Sequence, residues 1–303
     1  MKEEPPLVSI VTPSFNKGRF IEETILSIKN QTYPRIEHII IDGGSTDNTI
    51  DIIKKYEGTY NMRWVSEPDK GQADAINKGW RMAKGEILAY LNADDTYTPW
   101  AVETAVKYLT EHPDVYMVYG DCNIINERGE VIGRDEAEEF DLRKAICLTC
   151  SVPSTTIFFR RRVLNKIGFI DTNLYIGMDY DFWLRVGLKF KVQRIPHLLA
   201  NFRSYPATKC ASEFYRFWPE YLYILNKTFS NPELPPEIKS VKGRAYSYAY
   251  SHISFHNFQM PYMKWTIHHL LKSLILDPWG NPYKIINRFS RWLFHRLLGR
   301  RLS

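Results

Sequence analysis

Between residues 7 and 112 the chain repeats one pattern: a short apolar run, a polar loop, then a stretch with helical periodicity. LVSIVTPSF (7–15) is β-branched and ends in proline and polar residues, as a buried strand running into a loop does. IEETILSIKNQ (21–31) sets Ile21, Ile25 and Ile28 on one helical face. IEHIIIDGGSTD (36–47) is a second apolar run broken at Asp-Gly-Gly, and NTIDIIKKY (48–56) is a helix with Asp47 or Asn48 placed to cap it. MRWVSEPDKG supplies a short strand and loop, QADAINKGWRMAKG (72–85) a helix ending at Gly85, EILAYLN (86–92) a strand, and AVETAVKYLTEH a helix. Such alternation with short links admits few folds. It predicts an α/β architecture, a Rossmann-like, mostly parallel sheet flanked by helices.

In such sheets ligands bind outside the carboxyl ends of the strands. Three acidic loops fall at those ends: Asp42, Asp69, and Asp94 with Asp95. The pair Asp94-Asp95 is the oddest of them, because adjacent carboxylates repel and an apolar strand usually ends in a neutral turn. A solvated turn is one explanation. A hard cation, or a ligand carrying one, is the other.

Beyond Val115 the pattern loosens. VYMVYGDCNIINERGEVIG reads as a β-hairpin with Gly129 near its turn, TTIFFRRRVLNKIG as a strand leading into a helix, MDYDFWLRVGLKF (178–190) as a helix, and IPHLLANFR (195–203) as a last strand. From about Ala211 the chain becomes aromatic and helical, so the organisation expected is a domain over residues 1–210 and a helical C-terminal extension over 211–303. The 303 residues are 44% hydrophobic and 24% charged, which suits a globular protein with a proper core. The N-terminus has acids and prolines where a signal peptide needs a basic segment and an apolar core, and no apolar run is long enough to span a bilayer. With four cysteines in a chain of this length, the reading is a cytoplasmic protein.

The segments SIVTPSFNKGRFIEETILSIKNQTYPRIEHIIIDGGSTDNT, EPDKGQADAINKG, GEILAYLNADDTY and GMDYDFWLRVGLKF, in that order within residues 7–205, resemble glycosyltransferase family 2. The resemblance implies the GT-A fold and transfer of a hexosyl or N-acetylhexosaminyl group from a nucleotide-sugar donor to an acceptor hydroxyl, usually with inversion. It also implies a divalent cofactor, Mn²⁺ or Mg²⁺, which would neutralise the departing diphosphate without proton transfer. On the matching positions, Asp95 is the metal-binding acid and Asp94 contacts the ribose or assists the metal. Asn92 stands where relatives often carry a further Asp. Asp179 matches the base that takes the acceptor's proton, with Met178 where an acid commonly precedes it; Asp181 is placed to cap the helix or pair with Arg185. Pro13 and Phe15 match the end of the first strand, where an aromatic stacks on the base. Asp42 opens a loop whose second acid reads uracil in relatives, and Gly43 stands in that place here. Asp69, Lys70 and Gly71 match a donor loop, with Asn77 on the helix behind it. Arg203 matches a loop that closes over the diphosphate, with Tyr205 in place of the usual His. Trp183 and Met178 are candidates for the acceptor floor.

Other features carry less. Cys147-Leu-Thr-Cys150 has no second CxxC, His268 and His269 point apart on a helix, and no GxGxxG or GxxxxGK[ST] loop occurs. From Pro261 onward eight Lys or Arg face a single acid, so that segment is +7 while the rest of the chain is −1. YKIINRFSRWLFHRLLGRRL (283–302) sets Ile285, Phe289, Leu293 and Leu297 at helical spacing beside a basic stripe. That pattern suits either a helix on an anionic membrane surface, which would make the protein peripheral on the inner face of the cell membrane, or a helix packed on its own domain. Nucleic acid is not the expected partner, because no binding module accompanies the charge. The leading functional expectation is a transferase of cell-surface polysaccharide or glycolipid synthesis acting on a glycan or lipid-linked acceptor. Two others stand beside it: a metal-dependent nucleotidyltransferase, and a non-catalytic membrane-associated scaffold of the same fold.

Overall fold

The structure, a computed structural model, describes residues 4–148, 150, 152–258, 271–273 and 275–276. The chain divides into two compact units, Met1–Leu142 with Cys150–Ser212, and Arg143–Thr149 with Glu213–Ser303.

The first unit is built on strands β1 (Val8–Ser14), β2 (Ile36–Asp42), β3 (Met62–Ser66) and β4 (Ile87–Tyr90), separated by helices α1 (Ile21–Lys29), α2 (Thr49–Tyr56) and α3 (Gln72–Met82). The strands run parallel in the order β3-β2-β1-β4. Ile39, Ile40 and Ile41 are all buried, so β2 is covered on both faces, as a parallel sheet with helices on either side requires. Ile21 and Ile25 of α1 pack with Ile40, Ile52 and Ile53 in one cluster, while Ile28 joins Ile10, Ala89 and Leu91 in another. Asp47 holds the start of α2: its Oδ1 accepts from Thr49 N at 3.0 Å and its Oδ2 from Gly18 N at 3.0 Å. A Cβ at Gly18 would displace the exposed Asn48 side chain.

The strand order reverses at β1, which has β2 on one side and β4 on the other, and this opens a crevice at their carboxyl ends. The remainder of the sheet is mixed. After β5 (Thr96–Tyr97) and α4 (Ala101–Glu111) come β6 (Val115–Ile125) and β7 (Val131–Asp135), the expected hairpin, with Gly129 at φ +80° in its turn. Between α5 (Leu142–Ile146) and α6 (Leu164–Ile167) lies β8 (Phe158–Arg160), which inserts antiparallel between β4 and β6. α7 (Met178–Gly187) precedes β9 (Lys191–Arg203), which runs parallel to β6 and pairs at its far end with β5. That pairing brings the end of β9 beside the Asp94-Asp95 turn. The unit closes with α8 (Lys209–Ser212).

In the second unit, α9 (Phe217–Phe229) and α11 (Lys242–Phe258) pack together, with α10 (Pro236–Lys239) between them in sequence. Tyr221, Ile224, Leu225, Ala245 and Ala249 are fully buried, and Trp218 stacks on His252 at 4.2 Å between centroids. Among the described residues no helix is long and apolar enough to cross a membrane. The basic helix expected over 283–302, and His268-His269, lie outside the described residues.

Candidate active site

The crevice deepens into a cavity of about 380 Å³ at the carboxyl ends of β1 and β4. Its walls come from the β1–α1 loop, the β3–α3 loop, the turn after β4, a 3-10 turn at Ser154–Thr156, the start of α7, and the chain from Phe202 to Cys210.

The turn after β4 separates its two acids. Asp94 lines the cavity, and its Oδ2 accepts from Lys17 Nζ at 2.5 Å and from the Tyr205 hydroxyl at 2.9 Å. Lys17 Nζ also donates to the Tyr205 hydroxyl at 2.7 Å, so lysine, tyrosine and carboxylate form a closed triangle. Burial works against the Lys17 charge, but Asp94 and Tyr205 outweigh it and the ammonium is held above its ordinary pKa. Asp95 is fully buried and does not reach the cavity. Its Oδ1 accepts from the Arg203 backbone N–H at 2.8 Å and its Oδ2 from Asn92 Nδ2 at 3.0 Å. Burial, then the neighbouring Asp94 charge, raises its pKa.

Asp179 also lines the cavity, from the first turn of α7. Tyr180 N donates to its Oδ1 at 2.8 Å, and Ser154 hydrogen-bonds its carboxylate. Burial nevertheless dominates and pushes the Asp179 pKa up. Asp181 points away and pairs with Arg185 at 2.7 Å. At the mouth, Phe15 is 58% exposed, so it is not a core aromatic.

Of the other residues singled out in the sequence, Pro13, Asp69, Gly71, Asn92 and Met178 line the cavity. A Cβ at Gly43 would lie 2.8 Å from Asp69 Oδ2, so the glycine is what admits that carboxylate to the β2 loop. Several residues lie elsewhere. Asp42 is fully buried and holds its own loop, accepting from Ser45 N at 2.8 Å and Ser66 Oγ at 2.8 Å. Lys70 is exposed outside the lining. Asn77 is buried and fastens α3 to the Ile170 backbone through both side-chain atoms. Trp183 is a core residue, edge-on to Tyr180 and Phe140. Arg203 borders the cavity from the end of β9 rather than from a loop, but its guanidinium is turned inward, 1% exposed. It donates to Asp94 O, Asn126 O and Glu127 O, pairs with Glu23, and stacks on Phe20.

Sequence reasoning missed Ser14, Lys17 and Ser154. Ser14 ends β1 and Lys17 follows in the loop, at the point where the sheet reverses, and that position was their only signal. Ser14 Oγ is buried without a hydrogen-bond partner among the described residues.

The profile of Glycosyl transferase family 2 matches residues 9–168. The chain belongs to that family. An uncharacterized glycosyltransferase of Mycobacterium tuberculosis is 34% identical over 202 residues, covering 65% of this chain and 75% of that protein. A PGL/p-HBAD biosynthesis glycosyltransferase of Mycobacterium bovis is 29% identical over 183 residues, 59% of this chain and 69% of the relative. Among solved structures, S. aureus TarS 1-349 in complex with UDP-GlcNAc superposes with a TM-score of 0.64 at 17% identity, over 89% of this chain and 81% of that fragment. The mannosyltransferase PcManGT of Pyrobaculum calidifontis, in complex with GDP-Man and Mn²⁺, gives 0.65 at 18% identity, over 96% and 81%. Family 2 membership and the GT-A fold thus agree with the strand order and the crevice described above.

Proposed function

We propose that this family 2 glycosyltransferase moves a hexosyl or N-acetylhexosaminyl group, with inversion, from a nucleoside-diphosphate sugar to an acceptor hydroxyl. The observation that carries the reading is the gathering of Asp94 and Asp179 from distant parts of the chain onto one cavity with an exposed aromatic, Phe15, at its mouth. The reading assigns residues 1–210 to catalysis and 211–303 to a helical extension.

Phe15 stacks on the nucleobase, and Asp69 and Asn92 supply polar contacts to the nucleoside. Asp179 takes the proton of the acceptor hydroxyl as its oxygen bonds to the anomeric carbon and the bond from that carbon to the diphosphate breaks. A carboxylate whose pKa is raised by burial accepts that proton more readily than a solvated one. The donors present fit a divalent cation, since one carboxylate with substrate phosphates is a common oxygen set for Mg²⁺ and Mn²⁺. Asp94 is the cavity-facing acid and is therefore the proposed metal ligand, while Asp95 positions the turn through Arg203 and Asn92. When bound, the cation supplies positive charge to the diphosphate. TarS and PcManGT, with their nucleotide sugars, support this donor class and, through Mn²⁺, the cofactor.

The acceptor class in this reading is a cell-surface or lipid-linked glycan, which the relative named for PGL/p-HBAD biosynthesis supports. The basic stretch 283–302 carries the peripheral-membrane part, and its removal should release the protein from anionic vesicles. The central test is a thermal-shift and turnover screen of nucleotide sugars with Mn²⁺. Stabilisation by a nucleotide sugar, with release of nucleoside diphosphate, is expected, and release of pyrophosphate from a nucleoside triphosphate instead would overturn it.

A further inference from the structure

The Lys17 ammonium has three N–H groups. One is directed at Asp94 Oδ2 and one at the Tyr205 hydroxyl; the third has no acceptor among the described residues. Three residues earlier in the chain, Ser14 Oγ is buried with no partner among the described residues. Both residues line the cavity. Two polar donors without acceptors on one wall are a cost unless a ligand supplies oxygen atoms there.

Lys17 is also fixed before any ligand arrives. Asn16 adopts φ +50°, and its turn is held by Asn16 N to Ser45 Oγ at 2.7 Å and by Thr46 N to Asn16 Oδ1 at 2.8 Å. The Lys17 N–H donates to Thr49 Oγ1 at 2.9 Å, and its carbonyl accepts from Phe20 and Ile21. A surface lysine would wander; this one is pinned along its backbone and at its tip.

Building on the donor reading above, we propose that Lys17, with Ser14 beside it, is a built-in cationic site for the diphosphate of the donor, so that a nucleoside diphosphate binds without a divalent cation. Two of the Lys17 N–H groups stay on Asp94 and Tyr205 and the third is directed at the diphosphate, so the ammonium serves the donor whether or not a metal also sits on Asp94. A lysine serves here as a point charge, a role that needs no bidentate geometry.

The test is calorimetric titration of the full chain with UDP, GDP, ADP, CDP and dTDP, in EDTA and in Mn²⁺, for wild type, Lys17→Met and Lys17→Arg. Wild type should bind one of these diphosphates in EDTA. Lys17→Met should weaken that binding by about ten- to a hundredfold, the scale of one charge-assisted hydrogen bond, and lose less in Mn²⁺. Lys17→Arg should recover part of the loss, which separates charge from misfolding. Wild-type binding in Mn²⁺ but not in EDTA, or an unchanged affinity of Lys17→Met in EDTA, overturns the proposal and leaves the donor reading standing. No binding of any diphosphate in either condition overturns both.

Discussion

The two acidic walls of the cavity are built in opposite ways. On the β1/β4 side Asp94 is clasped by an ammonium and a hydroxyl, so its negative charge already has a counter-charge. On the α7 side Asp179 has a serine, a backbone N–H and the more distant Lys209 charge, and burial outweighs them all. The first arrangement suits holding charge steady while a charged group comes and goes. The second suits a group that must pick up a proton. Two aspartates on one cavity therefore differ in chemistry because their neighbours differ, and sequence position alone does not express that.

The sharpest way to break this comparison is to neutralise each acid in turn. Asp179→Asn should lower turnover by about 10²–10⁴-fold, the usual worth of a positioned base, while nucleotide affinity by calorimetry stays near wild type. The wild-type rate should climb as pH rises through the raised pKa of Asp179, because the ionised form is the base, and the variant's residual rate should lack that limb. Asp94→Asn should show the converse, with Mn²⁺ affinity in electron spin resonance falling beyond the roughly 10–100-fold that loss of an outer-shell partner costs. Matching signatures for the two variants would dissolve the distinction between the walls. Asp95→Asn sharpens it further: its oxygens serve the Arg203 backbone and Asn92, so melting should register a loss of about 1–3 kcal/mol. A further effect lies away from both walls and shows only in acid. His38 is buried between Thr12 and Tyr60, and burial lowers its pKa from 6.5 to about 3. Protons bind the unfolded chain first, so its contribution is present above pH 6.5 and declines by up to about 1.4 kcal/mol per pH unit as pH falls toward 3. A His38→Gln variant should flatten that slope in melts against pH.

The alternating half of the chain was open to sequence reasoning because its signals are local. Ile21, Ile25 and Ile28 mark the buried face of α1, and the unbroken run Ile39–Ile41 marks a strand covered on both sides. The mixed half was harder. β8 is only Phe158–Arg160, and its antiparallel place between β4 and β6 depends on partners far away in sequence. β9 begins at Lys191, earlier than the apolar run suggests, since its first residues pair with β6 while carrying polar side chains. Within the site, the resemblance makes Asp95 the metal-binding acid and gives Asp94 the ribose or an assisting place, whereas Asp94 is the one that lines the cavity, because a turn aims adjacent side chains apart. Lys17 escaped notice because a loop lysine is ordinarily a solvated one, and only the backbone turn at Asn16 makes it otherwise.

Arg203 has one more implication. Its guanidinium ties α1, the turn after β4 and the β6–β7 hairpin to a single buried point just before the chain enters the stretch that adds Ala207, Thr208, Lys209 and Cys210 to the cavity. Residues 206–210 hang from a fixed post. A graft of that stretch from another family member would reshape one side of the cavity while the anchoring of the β4 turn stays in place, which makes it a natural cassette for exchanging specificity between relatives.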